Sequence, residues 1–585
     1  MKRALLLILG CVLVWSLSTV LLPRFGEATY RFEGQEEQIG ALPLFPKAES
    51  EFMEIRIPVE IPLLLPTTFL IKPDDCLEEL SVNDEVVDDP LIPYCDYGNG
   101  KPIDLTRWLK RGTNILQATV RDHGGDAGIN VTVLRTSLLP LTGSVILIAL
   151  VCWYICSLSK AWKGKRRRMA LATVLMVGVA LRILYAASTP YYVRGHDTDA
   201  HIDYIEYMTE HGRIPPAIEG WEYHQPPLYY AASALVWSAG KQIDLSEGQI
   251  LTVLSGISLL LSLLTLALGI WIGAMLWPEE KSTNILAVYG SMLAALPSLI
   301  FLGSRIGNDV LAQPLSFLAL AFLVRFWLRG NLRFWYLSVA VIALGFLAKA
   351  SAVLLMPPIF LAMLLLPKRP LRERFLHVLV GTLMIVCLTG WLPVQRLIIE
   401  KDTTKSLTFG NLGMHGGLKI PTGIRNFTTF IPSEILRQPS NNPWEDKYRR
   451  TYFWEYFFRA AFFGEFGFES LSFIARYVLF FAMLLLPLGA YGLIAMGQEN
   501  LLRLSPVIAS GGMLLFGSLA YRVAFPYAPN QDFRFAVLLI VPIATLIASG
   551  VAALPKDIKH LGYGMVWGAV AACSAFLFGI FAIHS

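Results

Sequence analysis

Long apolar runs recur along most of the chain, and each is close to the roughly 20 residues that a helix needs to cross a bilayer. The runs occupy residues 4–22, 138–158, 169–187, 249–277, 285–304, 310–328, 334–348, 350–367, 375–394, 477–496, 504–521, 535–554 and 561–582. This pattern predicts a polytopic α-helical membrane protein with about thirteen transmembrane helices. Segment 1–22 is interpreted as a retained signal anchor, because the run is long enough to span and no convincing small-residue cleavage site follows.

Residues 27–136 have a different pattern. Short alternating runs such as Asn114–Val120 are separated by Pro, Gly and Asn-Asp turn signals, which is typical of strands. The segment carries 20 acidic and 10 basic side chains, a net charge of −10, although the whole chain is at +5. We therefore predict an acidic all-β sandwich domain inserted between transmembrane helices 1–22 and 138–158.

The composition restricts the function classes. Hydrophobic residues make up 55% of the chain and charged residues 16%, whereas a soluble domain has roughly 25% charged residues. These values exclude a soluble enzyme, a disordered chain and a coiled coil, and they favour partners in the membrane over nucleic acid.

The basic residues predict the orientation. Six of them lie within residues 160–168, directly after run 138–158, and such clusters mark the cytoplasmic side. Segment 27–136 is then outside the cytoplasm. If the short apolar segment 228–240 lies at the outer interface, the later basic clusters stay inside, and loops 188–248 and 395–470 of the body 169–582 share the outer side.

The richest polar stretch is in the first of these outer loops. His196, Asp197, Asp199 and His201 lie within six residues directly after a predicted span, where such groups are costly unless they are paired or used. One interpretation is structural, with an Asp capping a surface helix whose acidic stripe faces water. The other is chemical, with a carboxylate as general base. A divalent cation held by Asp197, Asp199 and His201 is an open alternative, although no standard ligand spacing is present.

Other polar residues fall on the same predicted side. Arg182 lies inside the run 169–187 and is expected to reach the outer surface or to pair with an acid of the first loop. The remaining outward candidates are His224, Gln225, Arg305, Asn308, Asp309, Lys349, Glu465, Asp532 and Arg534.

Four motifs carry a family resemblance. An acidic pair followed about 25 residues later by Gln225-Pro226-Pro227-Leu228-Tyr229-Tyr230 resembles the first outer loop of the GT-C glycosyltransferases, in particular the protein O-mannosyltransferases and the lipid A aminoarabinose transferase. Arg305–Asp309, Gly345–Ser351 and Gln531–Phe535 resemble three later elements of these enzymes, in the expected order. Several relatives have an acid where this chain has His224 and Gln225. Residues 80–114 resemble a jelly-roll sugar-binding sandwich, for which a scaffold role is as well supported as sugar binding.

The resemblance implies a function. It is the inverting transfer of a sugar from a polyprenyl-phosphate donor to a hydroxyl of a lipid, glycan or protein, on the outer side of a bacterial inner membrane. Asp197 or Asp199 is the expected catalytic base. Expected substrate-binding residues are His196, His201, His224, Gln225, Arg305, Asn308, Asp309, Lys349, Glu465, Asp532 and Arg534.

Two further predictions concern the cysteines and the rival functions. Of the seven cysteines only Cys76 and Cys95 lie in the polar domain, and they are disulfide candidates if that domain is outside the cytoplasm. A transporter or lipid flippase is the alternative function, but such proteins show paired halves with matching broken helices, and no internal symmetry is visible. A sugar-sensing receptor would not need so large a membrane body.

Overall fold

The computed structural model describes residues 23–46, 50–61, 67–95, 100–122, 127–136, 166–191, 193–279, 282–366, 369–400, 416–468 and 471–584. The chain divides into two compact units. One consists of residues 1–161, 187–194 and 580–585, and the other of residues 162–186 and 195–579. The predicted helices 1–22 and 138–158 lie outside the described residues.

The described part of segment 23–136 consists of strands and turns. In chain order the strands are β1 Arg24–Phe25, β2 Ala28–Phe32, β3 Gln38–Gly40, β4 Phe52–Ile61, β5 Thr67–Pro73, β6 Cys76–Val82, β7 Glu85–Val86, β8 Tyr94–Cys95, β9 Lys101–Asp104, β10 Gly112–Arg121 and β11 Ile129–Thr136. One antiparallel sheet has the order β3-β2-β4-β10-β6-β7, with β1 paired to β4 and β8 to β6. The other has the order β11-β5-β9.

Alternating side chains build the core between the two sheets. On β4 every second residue from Met53 to Ile61 is buried, and β10 shows the same period of two. Side chains of both sheets, among them Ile57 and Phe69, belong to one apolar cluster. The alternation read from the sequence is therefore the alternation that fills this core.

Two local features of this unit bear on predictions made from the sequence, namely the Cys76–Cys95 pair and the motif that contains Asn114. Cys76 and Cys95 face each other on β6 and β8 and form a disulfide. The Asn114 amide is buried and fully used inside the fold, because its Oδ1 accepts from Lys110 N and its Nδ2 donates to the carbonyl oxygens of Lys110 and Gly112. The motif that contains Asn114 thus closes a turn.

The second unit is built from helices. The α-helices of the described residues are α1 Arg166–Ser188, α2 Thr198–His211, α3 Leu228–Gln242, α4 Glu247–Leu276, α5 Thr283–Ala295, α6 Pro297–Phe301, α7 Asp309–Arg329, α8 Leu332–Ala348, α9 Met356–Leu365, α10 Leu371–Thr389, α11 Trp391–Glu400, α12 Ile424–Thr428, α13 Pro432–Arg437, α14 Phe453–Phe463, α15 Ser472–Ile494, α16 Gln498–Ala524, α17 Ile540–Ala553 and α18 Lys559–His584. Short 3-10 turns occupy Ala350–Leu355, Gly416–Leu418, Asp446–Tyr448, Ala528–Gln531 and Phe533–Leu539.

The described residues contain fewer full-length spanning helices than the sequence has apolar runs, and two of those runs, 4–22 and 138–158, lie outside the described residues. Seven helices of the described residues are long and apolar enough to cross a membrane, or eight if the pair α10 and α11, bent by 41°, is one span. Three other predicted spans contain shorter apolar helices, Thr283–Ala295, Leu332–Ala348 and Ala350–Leu365. The chain is an integral membrane protein of the polytopic helical kind, while the count of thirteen stays a prediction.

Arg182 corrects one expectation. It neither reaches the outer surface nor pairs with an acid, because its guanidinium is buried and donates to Ser262 Oγ at 3.1 Å and to the carbonyl oxygens of Ala294 at 3.1 Å and Leu293 at 3.4 Å. Pro297 has no N–H to donate to the Leu293 carbonyl four residues earlier. Arg182 therefore satisfies carbonyls that the break between α5 and α6 leaves open.

Candidate active site

Asp197 has an unusual backbone for an aspartate. It lies directly before α2 with φ 53° and ψ 34°, in the left-handed region, and its side chain makes no capping hydrogen bond. Trp221 Nε1 instead donates to Asp197 Oδ1 at 3.0 Å, and Asp197 Oδ2 lies 3.9 Å from an Arg534 nitrogen. Strained backbone of this kind persists where the surroundings fix it, often at functional sites.

Two of the predicted residues, His201 and Asp199, lie on opposite sides of helix α2, one buried and one exposed. His201 is buried, its Nδ1 lies 2.8 Å from the hydroxyl of Tyr230, and burial lowers the pKa of His201 to about 4. Asp199 is exposed, and its charge raises the pKa of Asp203, although burial is the larger cause of that shift. The acidic stripe of α2 is thus a solvated face at Asp199 and Asp203, and the catalytic interest moves to Asp197.

The turn at residues 221–227 connects the first loop to the Asn-Asp turn. Gln225 Oε1 accepts from Asn308 Nδ2 at 3.0 Å, and the Gln225 side-chain nitrogen lies 3.2 Å from His224 Nε2. Burial lowers the pKa of His224 to about 4, so this ring is neutral at pH 7. Arg396 of α11 donates to the carbonyl oxygens of Pro215 at 2.9 Å and Tyr223 at 2.6 Å. These hydrogen bonds hold in place a segment that contains several site residues but is neither helix nor strand.

His196 joins three distant parts of the sequence. Its Nδ1 lies 2.6 Å from Glu465 Oε1, and its Nε2 lies 3.8 Å from Asp532 Oδ2. Burial lowers the pKa of His196 and the positive charge of Arg534 adds to that shift, whereas burial raises the pKa of Glu465. The uncharged forms of both groups are therefore favoured, and a hydrogen bond between them holds the segment around Glu465 to the segment around His196.

Glu465 is positioned by a network around α14. Glu455 on this helix is fully buried and makes a bidentate pair with Arg449. The helix ends at Gly464, which has φ 63° and ψ −138°, a conformation essentially restricted to glycine. Gly464 O accepts from Asn441 Nδ2 at 3.0 Å. The chain reverses at this glycine and brings Glu465 to His196.

A second cluster lies where α8 ends and α7 begins, beside the 3-10 turn Phe533–Leu539. Lys349 Nζ, directly after α8, is 2.6 Å from Asp309 Oδ1, at the start of α7. Asp309, Lys349 and Arg534 together line one small pocket. The pocket is also lined by apolar side chains, including Phe317 and Leu538.

Three buried donors at this site have no protein acceptor. Among the described residues, Nε of Arg305, Nε of Arg534 and Nε2 of Gln313 lack a hydrogen-bond partner. The Arg305 guanidinium lies over the ring of Phe466, at 5.1 Å from its centre, and that ring packs on His196. Because unpaired buried donors are costly, their concentration here indicates a site shaped for an anionic ligand.

The residues present were also tested as a divalent-cation site. Asp197, Asp199 and His201 do not form a metal-ligand group among the described residues, whereas His196, Glu465 and Asp532 come within 4.8 Å of one another. The two carboxylates of this second group approach opposite edges of the His196 ring, Glu465 at Nδ1 and Asp532 at Nε2. One ring nitrogen and one oxygen of each carboxylate lie within 4.8 Å of one another, so these three residues could hold a divalent cation, and the 2.6 Å contact between His196 and Glu465 is also short enough to be a hydrogen bond.

The structure brings together most of the predicted residues. His196, Asp197, Asp309, Lys349, Glu465, Asp532 and Arg534 are connected by the contacts above, while Asp199 points to solvent. Sequence reasoning missed Trp221, Glu222, Gln313 and Phe466. Trp221 and Glu222 lie beside the quoted motif, but nothing in the residue pattern distinguishes them from surface loop residues.

The comparisons with known proteins show what this chain is similar to. Residues 252–393 match the family model described as dolichyl-phosphate-mannose-protein mannosyltransferase. The chain resembles the GT-C membrane glycosyltransferases. No curated protein sequence matches this chain at a significant level.

Solved GT-C structures resemble the fold at low identity. The oligosaccharyltransferase of Archaeoglobus fulgidus has TM-score 0.44 and 13% identity, over 72% of this chain and 57% of that chain. ArnT from Cupriavidus metallidurans, bound to undecaprenyl phosphate, has TM-score 0.31 and 12% identity, over 68% and 77%. Arabinosyltransferase EmbB from Mycobacterium smegmatis has TM-score 0.36 and 11% identity, over 100% and 63%. This chain spans little more than half of the oligosaccharyltransferase, and at these TM-scores the likenesses do not carry the functional conclusion.

Proposed function

We propose that this protein is an inverting glycosyltransferase that moves a sugar from a polyprenyl-phosphate donor to an acceptor hydroxyl. The observation that carries the proposal is the junction of Asp197 with a cationic pocket. Its Oδ2 lies 3.9 Å from Arg534, and Arg534 lines the same pocket as Lys349. A carboxylate beside unsatisfied cationic donors offers a base for the acceptor and a cradle for the phosphate.

The pocket supports a lipid-phosphate donor. Gln313 and Arg534 line the pocket, each presents a buried donor atom without a hydrogen-bond partner among the described residues, and a phosphate has oxygens enough to accept from both. Arg305, whose guanidinium lies over the ring of Phe466, presents a third such atom. Apolar side chains such as Leu514 and Leu538 line the pocket beside the charges. A polyprenyl chain can therefore stay in an apolar environment while its phosphate is bound.

The transfer then proceeds by a single displacement. The acceptor oxygen attacks the anomeric carbon while Asp197 takes the hydroxyl proton. The bond from that carbon to the phosphate oxygen breaks, and its electron pair goes to the phosphate, where Arg305 and Arg534 stabilise the charge. Attack opposite the leaving phosphate inverts the anomeric configuration. Trp221 holds Asp197 through Oδ1, which leaves Oδ2 as the proton acceptor.

The choice between the two predicted bases follows from their surroundings. Both aspartates are exposed, but Asp197 accepts a hydrogen bond from Trp221 and lies 3.9 Å from Arg534, whereas Asp199 makes neither contact. We assign the base to Asp197. Asp199 provides a matched control, because it is the same residue type two positions away.

The setting of the reaction follows from the charge pattern and the family match. The match over residues 252–393 to a dolichyl-phosphate-mannose-protein mannosyltransferase family supports a lipid-phosphate donor, and a bacterial inner membrane is the setting that the sequence predicts. The basic cluster at 160–168 supports a site on the periplasmic side, together with the β unit. The acceptor is a lipid, glycan or protein of that side.

A reconstituted transfer assay tests this proposal. The full-length protein in lipid nanodiscs is incubated with undecaprenyl-phosphate mannose, arabinose or aminoarabinose, labelled in the sugar, and with glycolipid, oligosaccharide and peptide acceptors. We expect release of undecaprenyl phosphate together with a product of inverted configuration, measured by NMR. A protein that releases no sugar with any pair, yet moves labelled undecaprenyl phosphate across liposomes, would instead be the flippase of the alternative hypothesis.

A further inference from the structure

Glu222 lies in the turn that organises the first outer loop but has no role in the mechanism above. Its neighbour Trp221 is bonded to Asp197, and Gln225, three residues later, is bonded to Asn308. The turn is closed by Gln225 N, which donates to Glu222 O at 2.9 Å. Glu222 is therefore held rigidly between two groups of the site.

The carboxyl group of Glu222 is buried and only partly satisfied. The residue is 6% exposed, and the Gln225 side chain makes a hydrogen bond with the carboxyl. Among the described residues, Oε2 of Glu222 has no hydrogen-bond partner. A buried carboxyl oxygen without a partner costs free energy, and that cost is recovered only if something else binds to it.

Charged and titratable groups surround Glu222 from several elements. They are Asp197, Tyr230, Lys349, Tyr521 and Arg534. Burial, with a smaller contribution from the negative charge of Asp197, raises the pKa of Glu222 to about 8, although Lys349, Arg534 and the Gln225 hydrogen bond oppose the shift. The carboxyl is therefore mostly protonated at pH 7, and a protonated carboxyl is a hydrogen-bond donor as well as an acceptor.

We propose that Glu222 is a further substrate-positioning residue, which donates a hydrogen bond from its uncharged carboxylic acid to an oxygen of the donor's phosphate–sugar head. The inference rests on the proposed function, since it takes the polyprenyl-phosphate site as given. It gives two nearby carboxyl groups different roles, with Asp197 as the base and Glu222 as a hydrogen-bond donor.

The neutral state predicts how Glu222 responds to substitution. Glu222→Gln keeps the size and a donor group but cannot ionise, so it should retain transfer within about threefold of the wild-type rate. Glu222→Ala removes the donor and should reduce transfer by about tenfold or more, as expected when a hydrogen bond to a charged group is lost. A residue acting as a general base would lose transfer in both variants, because neither Gln nor Ala can take a proton.

The closing experiment measures undecaprenyl phosphate binding between about pH 7 and pH 9, where the phosphate has already lost its second proton. The full-length wild-type protein should bind more weakly as Glu222 ionises, by up to about tenfold if the bound anion shifts the carboxyl pKa by one unit. Glu222→Gln should bind equally well at both ends of the range. Glu219→Gln, an exposed substitution in the same loop, should keep the wild-type slope.

The outcomes separate the two proposals. If the wild-type protein does not bind undecaprenyl phosphate at any pH, the proposed function fails and this inference fails with it. If it binds but Glu222→Gln keeps the wild-type pH slope, or if Glu222→Gln loses transfer as completely as Asp197→Asn, only the role of Glu222 is wrong. Because Glu222→Gln preserves shape and neutrality, the test does not depend on Glu222→Ala being stably folded.

Discussion

The ion pair between Lys349 and Asp309 offers a quantitative test of the cationic pocket. Lys349 Nζ lies 2.6 Å from Asp309 Oδ1, and the two side chains are only 8% and 13% exposed. Removing one partner of such a pair leaves the other charge buried and unpaired, which typically costs about 3–5 kcal/mol. Lys349→Met should therefore markedly lower the thermal unfolding temperature, and Asp309→Asn in the same chain should restore most of that loss.

Ligand binding should not follow stability in this series. If Lys349 contacts the donor phosphate, its loss removes a charge-assisted hydrogen bond of about 1.5–3 kcal/mol, or roughly tenfold or more in affinity. We expect undecaprenyl phosphate to bind poorly to Lys349→Met and to the double variant, and more tightly to Asp309→Asn, in which Lys349 is released from its partner.

The assay combines thermal unfolding in nanodiscs with titration of undecaprenyl phosphate for the four proteins. A double variant that is as unstable as Lys349→Met would refute the buried-pair argument. A double variant that is stable and binds the lipid with wild-type affinity would show that Lys349 only neutralises Asp309 and does not bind phosphate.

Three further predictions concern the supports of the site and of the β unit. Trp221→Phe should reduce transfer about tenfold while sparing undecaprenyl phosphate binding, because it deletes only the hydrogen bond to Asp197; equal losses of both activities would contradict this. Gly464→Ala should destabilise the protein by about 1–3 kcal/mol in thermal unfolding, since the residue has φ 63° and ψ −138°, and an unchanged unfolding temperature would argue against that backbone. Cys76→Ala together with Cys95→Ala should lower the stability of the β unit by about 2–4 kcal/mol, measured by limited proteolysis; unchanged resistance to the protease would show that the disulfide contributes little.

Much of the fold could be predicted from periodicity because burial imposes it. The alternation on β4 follows from one face packing on the core, and apolar runs such as 249–277 follow from the need for an apolar surface in lipid. Run 285–304 was less predictable. Its hydropathy is continuous, but Pro297 breaks it into α5 and α6, and the cost of the break is met by Arg182 from another helix. Such compensation depends on tertiary contacts that hydropathy does not contain.

The candidate site was predictable in its ingredients and less so in its roles. His196, Asp197, Lys349 and Arg534 were recognised by their residue type and expected side of the membrane. The ranking of Asp197 over Asp199 required the left-handed backbone at Asp197 and its bond to Trp221, neither of which has a sequence signature.

Glu222 shows the same limit in a different way. In the sequence it is one more acid in a loop, and acids in loops are usually exposed. Its burial arises because the turn that it closes is held between Asn308 and Asp197 by Gln225 and Trp221. The pKa of a carboxyl depends on that enclosure, so the chemical state of Glu222 could not be read from residue order.

The most direct test of the central claim is the transfer rate of Asp197→Asn compared with Asp199→Asn, at saturating undecaprenyl-phosphate sugar and with lipid binding measured on the same samples. Both variants should fold and bind undecaprenyl phosphate. Loss of general-base catalysis should slow Asp197→Asn by about 100-fold or more, while Asp199→Asn stays near the wild-type rate. A wild-type rate in Asp197→Asn with its lipid binding intact would contradict the account.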